Sequence, residues 1–160
     1  TTTLASLFVA RTHARGAPAA WVSATTDTVF PPDLAGNGVD PAGLVFVFAA
    51  DALQAARAAE HLLRSGAFAL VVLDLEHDAD IPDAAQGRLL RLARATEAAV
   101  LCISRGDTVL RGSMISLRGR TSRVATTDGR YRLRIHITRD KHGGPGVRSG
   151  EVCHAPPGMY

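Results

Sequence analysis

Long apolar runs and cysteines are both scarce in this chain, and each shortage excludes a class of protein. The longest apolar runs are far shorter than the roughly 20 residues that a helix needs to cross a bilayer, so no membrane association is expected. The two cysteines, Cys102 and Cys153, form no disulfide framework and are typical of a reducing compartment. We therefore expect a protein of a reducing, cytoplasmic compartment.

Lysine is almost absent, and the charge is unevenly distributed along the chain. Of the 18 basic residues only Lys141 is a lysine. Residues 1–104 hold 7 arginines and 11 acids, a net charge of −4, whereas residues 105–160 hold 10 arginines and one lysine against 4 acids, a net charge of +7. The basic part predicts an attraction to nucleic acid or to an acidic protein face, although a solvated strand face explains it equally well.

The first two thirds of the chain alternate between apolar strands and amphipathic helices. A helix is predicted over 3–14, and another begins at Asp51, with Gln54 as its capping-box partner and Leu53, Ala56, Ala59 and Leu63 facing inward. A third helix is predicted to run from about Asp80 to Glu97. Strands are predicted over 19–23, 44–48, 68–74 and 99–104. This order predicts a parallel sheet covered by helices, because parallel strands need crossover connections.

After residue 105 the pattern becomes that of an antiparallel sheet. A strand is predicted over 114–118, and Asp128-Gly129 is a hairpin signal. Residues 131–138 alternate strictly, with apolar residues at odd positions and Arg132, Arg134, His136 and Thr138 at even ones. The apolar side is expected to face inward. The outward Arg132 and Arg134 are candidate contacts for DNA or for an acidic partner, and a last short strand is predicted around 151–153.

Asp74 is the strongest single candidate for a functional residue. It ends the apolar strand of residues 70–73, and open α/β sheets bind ligands at the carboxyl ends of their strands. In such folds this carboxylate commonly holds magnesium, while the alternative is an Asp that only begins a loop. The acidic segment 76–80 has no firm metal-ligand spacing and the histidines are unpaired, so no metal site is expected.

Two cations near the end of the chain form a second candidate site. Arg139 and Lys141 precede the glycine-rich segment 143–146. Cations at a strand end can reach a phosphate group or a neighbouring subunit, and an ordinary basic hairpin end is the alternative. The motif does not decide between the two.

Several segments together resemble the RecA recombinase family, and the resemblance covers nearly the whole chain from Thr2 onward. They are residues 2–23, 38–44, 62–74, 112–118 and 139–146. The last of them is the most specific, and it is more similar to the ImuA branch, RecA-related accessory factors of bacterial mutagenic translesion synthesis, than to recombinases. The resemblance implies one RecA-like three-layer α/β domain over 1–160, with a mainly parallel twisted sheet flanked by helices and an antiparallel C-terminal extension.

The chain departs from that family where ATP is gripped and split. Thr1 falls where the phosphate-binding lysine belongs, while Thr2 keeps the hydroxyl that ligates magnesium. Thr25 replaces the glutamate that activates water, and Arg105 replaces the glutamine that senses the γ-phosphate. Loss of a general base alone removes about 10²–10⁴ in rate. The residual nucleotide site is expected to consist of Thr1, Thr2 and Asp74, so no cofactor is expected and ATP with magnesium would bind weakly.

The resemblance implies a non-catalytic accessory factor of SOS-type translesion synthesis and DNA repair. Its partners would be an ImuB-like, polymerase-like protein and RecA itself, and Arg139 and Lys141 match cations that contact the neighbouring nucleotide in RecA filaments. A protomer of this kind could cap a filament. Both connections that bind DNA in the family, here 76–82 and 105–112, are short, which leaves weak non-specific DNA binding.

Two other functions stay open at the level of sequence. The first is a working ATPase, since the chain does not open on Met and is interpreted as an internal fragment whose phosphate loop is degenerate or lies upstream. The second is a basic DNA-binding module formed by the strands of residues 105–160. Nucleotide-dependent stabilisation distinguishes the first, and the salt dependence of binding distinguishes the second.

Overall fold

The computed structural model of the chain describes residues 2–25, 29, 34–76, 79–104, 114–125, 131–143 and 146–153. The chain divides into two compact units, Thr2–Met114 and Ile115–Tyr160. The first is a mixed α/β unit built on a parallel sheet, and the second is an antiparallel sheet.

Four parallel strands form the sheet of the first unit. They are β1 (Ala19–Ala24), β2 (Leu44–Phe48), β3 (Leu70–Leu75) and β4 (Ala99–Ser104). Their order across the sheet is β2-β1-β3-β4, so the chain moves to one side of β1 for β2 and to the other side for β3. This reversal is a topological switch point between the carboxyl ends of β1 and β3. The predicted parallel sheet is confirmed.

Helices cover both faces of the sheet, which gives the unit two hydrophobic clusters. The helices are α1 (Thr2–His13), α2 (Ala52–Arg64) and α3 (Asp83–Ala95). On one face α1 packs through Ala5 and Val9 against the cluster that contains Trp21 and Val72. On the other face α2 and α3 pack against the cluster that contains Val22 and Leu73. Alternate residues of each strand therefore serve opposite clusters, which explains why these strands are apolar throughout.

The beginning of α2 follows the predicted capping pattern. The Asp51 carboxylate accepts a hydrogen bond of 2.7 Å from the backbone N–H of Gln54, and α2 ends before Gly66, whose φ of 69° is the left-handed conformation that terminates helices. One part of the prediction is wrong, because Leu53 is exposed and Ala55 is buried in its place. Ala52, in the same first turn, packs against the cluster. Leu53 is one residue further, about 100° round the helix, and so lies at the edge of the buried stripe.

The second unit is a three-stranded antiparallel sheet in the order β5-β6-β7. The strands are β5 (Leu117–Ala125), β6 (Tyr131–Asp140) and β7 (Gly146–Cys153). The predicted alternation in β6 is confirmed where side chains are described, since Leu133 and Ile137 are buried while Arg132 and Arg134 are exposed. The strand predicted over 114–118 begins instead at Leu117, and the hairpin signal at 128–129 lies outside the described residues.

A β-bulge interrupts the pairing of β5 with β6. Gly119 is opposite Ile137, but Arg118 is opposite Arg139, so Thr138 is an extra residue in β6. The extra residue reverses the alternation of the strand beyond it. A side chain added at Gly119 would come within 3.2 Å of Ile135 and 3.3 Å of Ile137, so a glycine suits this crowded position.

Two further observations bear on the expectations from composition. Among the described helices, none combines the length and the apolar character needed to cross a bilayer. Cys102 is a free thiol, and it packs against the hydrophobic cluster shared with α2 and α3.

Candidate functional site

The carboxyl end of the parallel sheet presents one row of four residues on the face covered by α1. Ser23 on β1 is in register with Phe48 on β2 and with Asp74 on β3, and Asp74 is in register with Ile103 on β4. In-register neighbours of parallel strands point to the same side of a sheet. The row therefore consists of one carboxylate and one hydroxyl at its centre, between two apolar side chains.

Both central residues of this row are buried. Asp74 is 9% exposed and Ser23 is 1% exposed. Among the described residues the Ser23 hydroxyl has no hydrogen-bond partner, and neither does the indole Nε1 of Trp21, which lies two residues earlier on the same side of β1. A buried donor without a partner costs about 1–3 kcal/mol, so these two groups are unusual in a folded interior.

The direction of α1 brings its first residues to the same end of the sheet as Asp74. The C-terminal residue His13 accepts a 3.3 Å hydrogen bond at Nδ1 from the backbone N–H of Asp40, just before the start of β2. The C-terminal end of α1 is thus at the amino ends of the strands. A helix of 12 residues is about 18 Å long, close to the length of the strands beneath it. Thr2, the first residue of α1, therefore lies towards the carboxyl ends.

The predicted nucleotide residues are distributed as follows. Thr2 and Asp74 share one end of the sheet, and Thr25 follows β1 directly, beside the end of β3. Thr1 and Arg105 lie outside the described residues. The buried polar groups of Trp21 and Ser23 lie on the same side of β1 but were not predicted, because the sequence shows them only as part of a short apolar strand.

Two further acidic residues follow β3 in the sequence. Glu76 and Asp80 are in the connection that leaves β3, and the backbone N–H of Ala79 donates to the Glu76 carbonyl at 3.3 Å. Within the described residues, no group of three or more His, Cys, Asp or Glu side chains is placed to hold a metal ion.

The second candidate site lies at one end of the antiparallel sheet. Arg139 is opposite Arg118 across β5 and β6, and the backbone N–H of Lys141 donates to the Ser116 carbonyl at 3.0 Å in the turn that follows. The Asp140 carboxylate accepts a 2.8 Å hydrogen bond from the backbone N–H of His142, which shapes that turn. The structure thus brings Arg139 and Lys141 to one end of the unit.

The other predicted contacts lie on the same surface as Arg139. Arg132 and Arg134 are exposed on β6, opposite Val124 and Ser122 of β5. The bulge at Thr138 turns Arg139 to this side of the sheet, where simple alternation would put it on the apolar side. No sequence signal identified the bulge.

The parallel-sheet architecture has a counterpart among solved structures. The chain is similar to SulA from Pseudomonas aeruginosa, with a TM-score of 0.53 and 23% sequence identity, and the match covers 64% of this chain and 85% of the SulA chain. At this identity the likeness is one of fold. No protein-family model matches the chain. No curated protein matches it either.

Proposed function

We propose that this chain is a non-catalytic, RecA-like accessory factor of the SOS response and translesion synthesis, which acts through protein contacts. The observation that carries the proposal is the row at the switch point. It keeps Asp74, the carboxylate that holds magnesium in RecA-like ATPases, but its in-register neighbours are Ser23 and Ile103. Phosphoryl transfer needs a metal ligand, a group that orients the attacking water and a cation on the phosphates.

The residue that follows β1 also supports a non-catalytic role. Thr25, immediately after β1, occupies the position that the RecA resemblance assigns to the catalytic glutamate. A threonine hydroxyl is not a general base near neutral pH, because its neutral oxygen is far too weakly basic to take a proton from water. The likeness in fold to SulA, itself a protein of the SOS response, supports the same physiological context.

The partners we propose are a recombinase of the RecA type and an ImuB-like protein. Arg139 and Lys141 lie together at one end of the antiparallel sheet, as cations that contact the nucleotide of a neighbouring protomer must. A protomer with this surface, but with a defective site of its own, can join the end of a filament and block further growth. The capping model follows from this combination of a retained contact surface and a defective nucleotide site.

Filament assembly tests the capping model directly. RecA is polymerised on single-stranded DNA with ATP, and filament length and strand exchange are measured as this protein is added. We expect shorter filaments and slower exchange at substoichiometric protein. The double variant R139A/K141A should lose the effect, whereas R91A/R94A, which removes two exposed charges from α3, should keep it. Unchanged filaments at excess wild-type protein would overturn capping.

A separate measurement tests the absence of catalysis. ATP turnover is followed with and without magnesium, together with thermal unfolding at saturating nucleotide. We expect no turnover above background and little stabilisation, since a ligand raises stability by RT ln(1 + [L]/Kd) only where it binds. Brisk turnover that is abolished by D74N would replace the accessory role with that of an ATPase.

A further inference from the structure

The exposed side of the antiparallel sheet carries an unbroken series of cations. We call it the arginine face and define it by the outward residues of β5 and β6. Its members are Arg118, Arg120, Ser122 and Val124 on β5, and Arg132, Arg134, His136, Thr138 and Arg139 on β6. None of these side chains is acidic.

The arginine face contains at least one arginine in each of its four cross-strand pairs. Arg118 is opposite Arg139 and Arg120 is opposite His136. Arg134 is opposite Ser122, and Arg132 is opposite Val124. Successive pairs on one side of a sheet are two residues apart, about 6.6–6.8 Å, so the four pairs extend over about 20 Å. The cations thus form a stripe along the strands.

The bulge at Thr138 is what completes this stripe. Without the extra residue, Arg139 would follow Leu133, Ile135 and Ile137 to the apolar side. With it, Arg139 faces the same way as Arg118, and both are exposed. The bulge therefore adds a fourth cross-strand pair that contains arginine to the stripe.

The charge of the whole unit favours the same kind of ligand. Its described segments 115–125, 131–143 and 146–153 contain seven arginines and Lys141 against Asp140 and Glu151, which gives 8 − 2 = +6. A local field of this size attracts polyanions and accelerates their association.

We infer that the arginine face binds the phosphodiester backbone of nucleic acid without regard to sequence. This surface shares Arg139 with the protein contact proposed above, but the binding does not depend on that contact. The side chains of the arginine face favour nucleic acid over an acidic protein as the ligand. Protein interfaces depend on a central cluster of aromatic or aliphatic anchors, whereas the outward side chains described on β5 and β6 include a single aliphatic one, Val124, which is 37% exposed. Arginines interspersed with hydroxyls such as Ser122 and Thr138 are the groups that contact phosphates.

The same face favours the backbone over the bases. Proteins that hold single strands through their bases stack them on aromatic side chains, and the arginine face contains no Phe, Tyr or Trp. Duplex carries about one phosphate charge per 1.7 Å of axis, so 20 Å of duplex contains roughly a dozen, of which only those on the side towards the stripe can be contacted. Duplex should therefore bind at least as tightly as a single strand of the same length.

Fluorescence anisotropy tests the inference with a labelled 25-base-pair duplex, the corresponding single strand and a second duplex of unrelated sequence. For about five phosphate contacts we expect a slope of log K against log salt near −4.5 on duplex, which corresponds to a loss on the order of 10²–10³ between 50 and 200 mM salt. The two duplexes should bind equally.

Matched variants locate the binding surface. R132A/R134A should weaken duplex binding and make the salt slope shallower by about 1.8, because two phosphate contacts are lost. R132K/R134K keeps the charge and should keep most of the slope. R91A/R94A removes the same charge from α3 in the other unit, and it should change neither the duplex affinity nor the salt slope. Circular dichroism of each variant confirms that it is folded.

Three results would overturn the inference. One is the absence of duplex binding at 50 mM salt. Another is an equal loss of duplex affinity in R91A/R94A and R132A/R134A, which would indicate that binding depends on net charge and not on a defined face. The third is competition by poly-glutamate at lower concentration than by unlabelled duplex, which would assign the face to an acidic protein. Filament capping can succeed or fail independently of all three.

Discussion

Ser23 and Asp74 occupy the same register position on neighbouring parallel strands, and both are buried at the switch point of the sheet. The carboxylate is at the position where the proposed function expects the remnant of a nucleotide site, whereas the hydroxyl has no hydrogen-bond partner among the described residues. The interior therefore keeps polar groups whose chemical role, on the function proposed above, has been lost. Their present contribution to stability can be measured.

Replacing Ser23 by alanine should stabilise the protein. The substitution removes a buried hydroxyl that makes no hydrogen bond within the described structure, so we expect a gain of about 1 kcal/mol in the free energy of unfolding. Urea denaturation monitored by Trp21 fluorescence measures it.

Ser6 provides the matched control. It is also fully buried, but its hydroxyl donates a 2.8 Å hydrogen bond to the Thr3 carbonyl. S6A should therefore lower the free energy of unfolding by about 1 kcal/mol, whereas S23A should raise it. A clear destabilisation by S23A would mean that its hydroxyl makes an essential polar contact in the crevice.

The pair Glu60–Arg88 should behave as a coupled unit that joins α2 to α3. Arg88 Nε donates to Glu60 Oε1 at 2.8 Å, and Glu60 is 8% exposed while the Arg88 side chain is 43% exposed. R88M leaves a nearly buried carboxylate without this partner. Discounting for the solvent at Arg88, we expect a loss of about 1–2 kcal/mol.

A double-mutant cycle isolates that interaction. E60L/R88M removes both charged groups and should be more stable than the sum of the single changes predicts, by about 1 kcal/mol. R88K should rescue little, because the ammonium cannot reproduce the geometry of the Nε contact. Additive losses across the cycle would show that the ion pair contributes nothing measurable.

The features that follow from local chemistry could be predicted from the sequence. Apolar runs bounded by turn residues identified the four parallel strands, and Asp51 identified the start of α2, because strand burial and helix capping depend on neighbouring residues. Strict alternation likewise identified the two sides of β6. The expectation for Asp74 followed from its position at the end of β3.

The features that depend on pairing could not be predicted. The bulge at Thr138 results from how β5 and β6 pair, and this pairing decides which side Arg139 faces. The register that brings Ser23 beside Asp74 depends on contacts between strands that are about 50 residues apart in sequence. Leu53 shows the same limit, since tertiary packing decides which side of α2 is buried, and Ala52 and Ala55 are on that side in its place.

Removal of the Asp51 cap should destabilise α2 without changing the fold. D51A leaves the Gln54 N–H without its 2.7 Å acceptor and should cost about 1 kcal/mol. D51S retains an acceptor at the N-cap, so it should lower the free energy of unfolding by only a few tenths of the loss in D51A. Thermal unfolding of the three proteins gives the comparison, and equal stability of D51A and wild type would show that the cap is redundant.

Cys102 should make the stability of the protein fall at high pH. Burial raises the pKa of its thiol from 9.0 to about 12. Below pH 9.0 the thiol is neutral in both the folded and unfolded states, so the contribution to stability is complete there. Between pH 9.0 and 12 the unfolded state loses its proton first, and stability should fall by about 1.4 kcal/mol per pH unit from this group. C102A should flatten the decline of stability measured by urea denaturation over that window, relative to wild type. An unchanged decline in C102A would assign it to other groups and contradict a neutral, buried thiol.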